Sequence, residues 1–530
     1  MGKMLRSTMI VGLVWGMVGL DFAYADGPDE SPDVSEAVVV PDVVVTTTRR
    51  TEERLQDSVR SADVVDADVL DEMQPQNTAD ALEEMNGVFV QRTNRGAGSP
   101  ILRGLIGPQN LILVDGIRYN TSTFRTGPNQ YLTLINPFAI QRLEVVRGPS
   151  SVLYGNGAMG GVMQVFTHKP PLNGHPIGGQ MDVRFTSADL SPLANGRVWG
   201  TAGDFSYMAG GSYLHYGTLR TGGGETVPLS AYRMAGWQTR LAYRLSSQWN
   251  LQWNYLGSLV DDAGRVDQLG KGDVRQYDNV DHLASMRLQY DGDGLLRRVR
   301  TTLSYHGLTE HIDRFTCALN ADENGLDNPD QCIDLNDEVL TKKRVYDDTV
   351  DVLGGDAHAL LSFWDDRFRL TMGGDIAHDW IGSERADAKS DAFVFESKER
   401  GNFSDGSTYL TAGAYLHTAS RIAEFGSGMG AINLQAGSRY SYFSANAPDV
   451  PGLGDVSYSY SGAIGSGSLQ WLRPGKTNLY VSFSQGFRAP NLQESTVLGD
   501  TGSKFEIPND QLLPERSDTL EAGFKASVSG

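Results

Sequence analysis

The chain has 530 residues, a formal net charge of −20 and 40 % hydrophobic residues, with 61 Gly and 21 Pro. An acidic balance of this size argues against nucleic acid as a partner, because phosphate recognition needs a basic footprint. It does not argue against a membrane, since a barrel strand with one face on lipid alternates polar and apolar residues and never looks hydrophobic overall.

In chain order, Lys3 and Arg6 precede an apolar run from Met9 to Leu20, and Ala23-Tyr24-Ala25 follows. A charged start, an apolar stretch too short to span a bilayer and a small-residue site read as a secretory signal over residues 1–25. The alternative, a membrane anchor, is disfavoured by length. Asp26–Glu36 is acidic, polar and Pro-containing, so a disordered leader is expected. Val38–Thr48 is rich in β-branched residues. After a disordered leader, such a segment suits strand addition to a partner's sheet edge. The alternative is that it forms the first strand of the unit that follows.

Residues 50–169 read as a small mixed α/β unit. Asn77 or Thr78 caps a predicted short helix running to about Asn86, with Gly87 as its stop. Leu111–Val114, Asp115-Gly116 and Ile117–Tyr119 predict a hairpin on an Asp-Gly turn. The stretch from Ile140 to Thr167 places the β-rich runs Leu143–Val146 and Val162–Phe166 around a centre rich in Gly, Pro and Ser. Gly155, Gly157, Gly160 and Gly161 permit turns or close backbone approach there, and Arg142, Glu144 and Arg147 set fixed charges beside it.

From about Ile177 the period is two. Trp237, Thr239, Leu241 and Tyr243 alternate with Gln238, Arg240, Ala242 and Arg244. After a turn at Ser246–Gln248, Trp249, Leu251, Trp253 and Tyr255 alternate with Asn250, Gln252 and Asn254. Tight connections at Ser246–Gln248, Asp291–Gly294, Trp364–Arg367 and Leu472–Thr477 take turns with long polar stretches. Those stretches are Gly257–Asp281, Thr309–Arg344, Gly382–Thr408, Ala445–Val456 and Gly486–Asp518. A soluble sandwich has no reason to gather every long loop at one end, whereas an outer-membrane barrel does. About fourteen such strands fit between Gly178 and Lys525, with ~10 residues crossing the bilayer in each.

The two cysteines, Cys317 and Cys332, share one polar segment. In an exported chain they read as a disulfide Cys317–Cys332, contributing on the order of 3 kcal/mol. A metal pair is the alternative, and no His lies between them. Ala321–Asp337 is rich in Asp, Glu and Asn, but without the ordered spacing of a Ca²⁺ loop, so a solvated acidic loop is the expectation and no metal site is assigned. No Ser/His/Asp or paired-carboxylate set stands out, so nothing in the sequence points to an enzyme.

Residues 101–120 (ILRGLIGPQNLILVDGIRYN) and 140–167 (IQRLEVVRGPSSVLYGNGAMGGVMQVFT) together resemble the plug domain of TonB-dependent outer-membrane receptors. The resemblance rests on Leu102-Arg103-Gly104, on Leu111 to Arg118 with Asp115-Gly116, and on Glu144 to Val162, which contains Arg147-Gly148-Pro149, Tyr154-Gly155 and Gly160-Gly161. Gln141 and Gln164 depart from it, where an acidic residue and Asn are expected. It implies a β fold in the cell outer membrane. A transmembrane antiparallel barrel, 22-stranded in the family with about fourteen strands present here, would enclose an N-terminal α/β plug. With a last residue that is not aromatic, the strand count reads as a chain lacking its C-terminal strands; a smaller complete barrel is the alternative. The implied domains are a leader with TonB box over 26–48, a plug over 49–169 and a barrel over 170–530. The box falls on Asp42, Val43, Val44, Val45, Thr46, Thr47 and Thr48. Arg103, Glu144 and Arg147 are candidates for plug–wall contacts, with pairing inside the plug as the alternative.

The implied activity is energy-coupled uptake, driven through TonB and its inner-membrane partners, of an iron chelate of siderophore type. Haem, cobalamin or another bulky nutrient are the alternatives. No cofactor is implied, and the remaining partner is outer-membrane lipid. Phe487-Arg488-Ala489-Pro490 matches the "FRAP" box of haem receptors and their relatives. Haem receptors of this kind carry an iron-ligating His after that box and another in the plug. Here there is no His from Asn491 to Ile507 and none before His168, so the FRAP-like loop reads as structural.

Overall fold

The structure, a computed structural model, describes residues 43–527 except 171–175, 266–267, 270–271, 318–339, 390–394, 399, 427 and 501–504. The expected signal segment, the leader through Asp42, Cys332 and the acidic loop 321–337 lie outside the described residues. Cys317 is disulfide-bonded.

One sheet of 15 strands dominates. One of these, the short Glu396–Lys398, lies off the path, and the other fourteen follow one another antiparallel from Gly178–Thr186 to Glu515–Ala526, each pairing with the next in sequence. The two outermost strands pair on one side only among the described residues. The exposure pattern shows which way the sheet faces. On the strand Tyr232–Arg244, the polar Gln238 and Arg240 are buried while Tyr243 is exposed. Leu303, Leu353, Leu416, Tyr440 and Leu469 are exposed on later strands, while Asn254, His306, Asp379 and Arg439 are buried. This inverts the soluble pattern and is what a lipid-facing barrel wall requires, with apolar side chains outward and polar ones toward a filled interior. Among the described residues no helix is long and apolar enough to cross a membrane.

Short turns join strands at one end, such as 245–248, 292–295, 364–367 and 474–476. The long polar stretches at the other end are partly strand. Thr309–Cys317 continues its strand, and Ala431–Val450 meets Gly454–Arg473 across only 451–453, so the expected loop Ala445–Val456 is a projecting hairpin. One face of these extensions is buried, with Ala445, Ala447, Val450 and Val456 in an apolar cluster and Glu310, Ile312 and Arg314 also buried, while most residues between them are polar or small.

Inside the sheet lies a second, five-stranded one, in the order Ser61–Asp66, Ile140–Arg147, Gly161–Thr167, Asn110–Val114 and Ile117–Arg118. Gly161–Thr167 and Asn110–Val114 run parallel, and the hairpin Asn110–Arg118 turns at Asp115 (φ +51°) and Gly116 (φ +87°). Both central residues have positive φ, the backbone that makes Asp-Gly a favoured hairpin turn. The expected helix from Asn77 to Asn86 shrinks to one 3₁₀ turn, Asp80–Leu82; Asn77 Oδ1 accepts from Ala79 N (2.9 Å) and Asp80 N (3.2 Å) ahead of it, and Gly87 (φ +70°) ends the segment where expected. A helix that the sequence reading missed, Ala67–Met73, is capped by Asp66. The largest apolar cluster joins this inner unit to the wall: Tyr131, Leu132 and Ile135 pack with Leu214, Met234 and Leu256.

Candidate functional site

The Asp115-Gly116 turn is the inner unit's anchor on the wall. The buried Asp115 carboxylate accepts from Thr167 N (3.1 Å) and Thr167 Oγ1 (2.6 Å) within the unit, and from Arg240 Nη2 and Asn254 Nδ2 (3.3 Å) across the seam. Arg287 donates to the Asp115 carbonyl. Burial alone would raise the Asp115 pKa, but the Arg240 guanidinium, the Thr167 hydroxyl and Arg287 outweigh it and hold the carboxyl below its ordinary range. Nearby, the Tyr119 hydroxyl donates to Asp281 (2.8 Å), whose other oxygen meets His306 Nε2 (3.0 Å), and the Tyr119 and His306 rings stack at 4.7 Å.

The FRAP-like turn is a splice between wall, loop and inner unit. Arg488 reaches Glu494 (2.6 and 2.8 Å) and Glu515 (3.1 and 2.5 Å). Ala489 N donates to Asn156 Oδ1 (2.9 Å), Phe487 stacks on Phe443, and the Pro490 carbonyl accepts from Tyr409 (3.0 Å) and Tyr458 (3.3 Å). Beyond it the short buried helix Leu492–Thr496 starts with a capping box, Asn491 with Glu494. It sits directly on the inner unit: Leu492 N donates to Ser122 O (2.9 Å) and Asn491 Nδ2 to Phe124 O (2.8 Å).

At the short-turn end one carboxylate gathers hydrogen bonds from Thr46 and Thr47. Glu144 Oε2, fully buried, accepts from Thr46 N (2.9 Å), Thr47 N (2.8 Å) and Thr47 Oγ1 (2.5 Å), and the Tyr154 hydroxyl donates to Thr47 O (2.9 Å). Val44–Val45 pairs with Glu53–Arg54, so this segment adds to a two-stranded sheet and not to the central one. Lys525 Nζ donates to the carbonyls of Leu55, Ser58 and Arg60 (2.8–2.9 Å), fixing the next stretch beside the turn 474–476.

The other motif residues divide by what they touch. Arg103 Nη2 meets Glu521 on the outermost strand (2.8 Å), a contact between inner unit and wall. Arg147 stays within the unit, on Asp63, Ser61 (2.9 Å) and the Asn86 carbonyl (2.7 Å). The Pro149 carbonyl accepts from Arg60 (2.6 Å), Gly148 N donates to Gly160 O (2.7 Å), Gly104 (φ +80°) completes the turn after Arg103, and Gly161 opens its strand. Gly155 (φ +76°) must be small, because a Cβ there would lie 2.6 Å from Arg439 Nη2, whose guanidinium forms a bidentate pair with Asp375.

Arg50, which the sequence reading passed over, is the central residue of the seam. It has positive φ (+60°), donates to Leu153 O (2.9 Å), lies 3.6 Å from Asp356 and stacks over the rings of Tyr154 and Tyr415. Two cavities of about 100 Å³ each share Arg50, Gly116, Tyr154 and Asp356 in their walls. Both lie between inner unit and wall. Its one sequence signal is position, two residues beyond the Thr run.

The sequence matches the family description "TonB-dependent Receptor Plug Domain" over residues 54–162 and "TonB dependent receptor-like, beta-barrel" over 242–530. The chain belongs to the TonB-dependent receptor family, whose members are outer-membrane proteins; the inner unit is its plug. It is 25 % identical over 510 residues to a hemin receptor of Yersinia enterocolitica, covering 92 % of this chain and 66 % of that one. It is 26 % identical over 301 residues to the vitamin B12 transporter BtuB of Vibrio vulnificus, covering 56 % and 44 %. Among solved structures it superposes on the copper transporter OprC with a TM-score of 0.68 at 17 % identity, covering 89 % and 69 %. The chain thus spans less than two thirds of the length of these two curated relatives.

Proposed function

We propose that this protein is a receptor for energy-coupled uptake of an iron chelate of siderophore type across the outer membrane, driven by TonB acting on the segment Asp42–Thr48. The observation that carries the reading is the filled lumen. A passive pore needs no plug, and here Thr46 and Thr47, just after the first described strand, converge on one buried carboxylate, Glu144, a grip that a pull from the periplasmic end would release. Domain limits of 26–48 for leader and box, 49–169 for plug and 170–530 for barrel, a signal over 1–25 and a Cys317–Cys332 bridge belong to the same proposal.

Haem is the second reading, favoured by the similarity to a hemin receptor over 92 % of the chain. Against it stands the lack of His from Asn491 to Ile507 and anywhere before His168, since haem iron is commonly held by imidazole. Titrating the purified receptor with ferric siderophores, haemin and cyanocobalamin, read by tryptophan fluorescence, separates these readings. Saturable quenching by a ferric siderophore alone is expected. Saturation by haemin or the corrinoid alone would replace the siderophore reading.

A further inference from the structure

We propose that the cavity at the short-turn end of the seam is an anion-binding chamber on the route the cargo takes out of the barrel. This deepens the uptake reading above by assigning the cargo a class: chelates carrying carboxylate, catecholate or phosphate charge.

The chamber of about 100 Å³ lies between the plug and the strands Asp273–Asp291, Leu296–Cys317 and Leu340–Phe363. Six cationic side chains line it, Arg50, Arg142, Lys169, Arg287, Arg298 and Arg300, against three carboxylates, Glu52, Asp115 and Asp356. Arg50, Arg142 and Arg298 are matched by Asp356 (3.6 Å), Glu144 (2.9 Å) and Asp291 (2.6 Å), whereas among the described residues Lys169, Arg287 and Arg300 make no ion pair, in a protein whose net charge is −20.

Two of the three carboxylates already have partners. Asp115 is taken by Thr167, Arg240 and Asn254. Asp356 is shared between Arg50 (3.6 Å) and His358 (3.4 Å). Among the described residues Arg287 donates only to neutral acceptors, the Asp115 carbonyl and Thr302 Oγ1 (3.3 Å). Arg300 makes one hydrogen bond among the described residues, Nε to Gln289 Oε1 (3.3 Å). Its two terminal nitrogens are left for an occupant of the chamber. Guanidinium groups in a narrow, partly desolvated space recognise planar oxyanions through paired N–H bonds.

The chamber is also placed where a route would run. Glu52 and Lys169 are exposed at its mouth, near the short turns. Its inner wall is Arg50 with Tyr154, and on the far side of that wall lies the second cavity, which reaches Arg488 and Asn491 beneath the FRAP-like turn. Thr46, inside the segment that Glu144 holds, is part of the chamber wall. Withdrawing that segment therefore enlarges the chamber itself.

The test needs no identified cargo. The intact receptor in detergent is treated with phenylglyoxal, an arginine reagent, with and without millimolar pyrophosphate as the probe, and peptides are quantified by mass spectrometry. Arg300 should be labelled, and pyrophosphate should slow its labelling several-fold while equimolar trehalose does not. Arg287→Gln should weaken that protection several-fold. Failure of Arg300 to label, or equal protection by the neutral sugar, overturns the proposal. If protection holds but no iron chelate is taken up by cells carrying the receptor, the uptake reading falls and the anion chamber stands.

Discussion

Asp115 is the residue on which the plug's seating turns. Replacing it with Ala leaves Arg240 buried against the plug with no carboxylate, and breaking a buried pair from one side costs about 3 kcal/mol or more. Asp115→Ala should lower the urea midpoint for plug release, followed by hydrogen exchange of Gly161–Thr167, while barrel strands far from the seam keep their protection; an unchanged midpoint would show the anchor is elsewhere. Next to it, His168 carries a pH dependence. Burial, reinforced by Arg197 and Arg240, pushes its pKa down to about 4 from the ordinary 6.5. The unfolded chain therefore binds the extra proton first, and plug stability is lost as pH falls from about 6.5 toward 4. His168→Gln should shrink the difference between melting temperatures at pH 7 and pH 4.5, and an equal difference in both proteins would refute the assignment. Arg240 is readable in the sequence as lumen-facing, from its alternation with Trp237, Thr239 and Leu241. Its partner Asp115 is not, because 125 residues separate them and only folding brings them together.

Among the elements, the short segment that follows the first described strand is gathered on a single carboxylate. Three hydrogen bonds from Thr46 and Thr47 converge on one oxygen of Glu144, so Glu144→Ala removes them together. Trypsin cleavage after Arg49 and Arg50 should then speed up several-fold in the intact receptor, with the Asp115 region still protected; unchanged cleavage would mean the Val44–Val45 pairing with Glu53–Arg54 suffices. Elements of period two are legible where one face meets lipid, as in Trp237–Tyr243, because side chains that alternate between two solvents must alternate in polarity. Legibility fails at Ala445–Val456, where Pro448, Pro451, Gly452 and Gly454 read as a loop and the buried face is carried by the small Ala445 and Ala447 and by Val450 and Val456. It fails also at Ala67–Met73, a seven-residue helix too short for a periodic signal.

At the scale of the whole molecule, plug and wall share one core. Tyr131, Leu132 and Ile135 bury their apolar surface against Leu214, Met234 and Leu256, and not within the plug alone. An isolated fragment 50–169 would expose that surface, so it should bind a hydrophobic dye and lose amide protection while keeping β-type circular dichroism; slow exchange in the fragment would show that the plug folds unaided. The order of parts and the membrane-facing period are determined by the sequence by itself, through the Gly-rich plug motif around Arg147–Gly161 and the alternation of the strands, since both are local patterns of residue type. The tertiary structure alone decided that Glu144 grips Thr46 and Thr47, that Arg147 turns inward to Asp63 while Arg103 reaches Glu521, and that Arg50 parts two cavities. Those choices depend on which charge meets which across a closed seam, and a linear chain does not carry that distance.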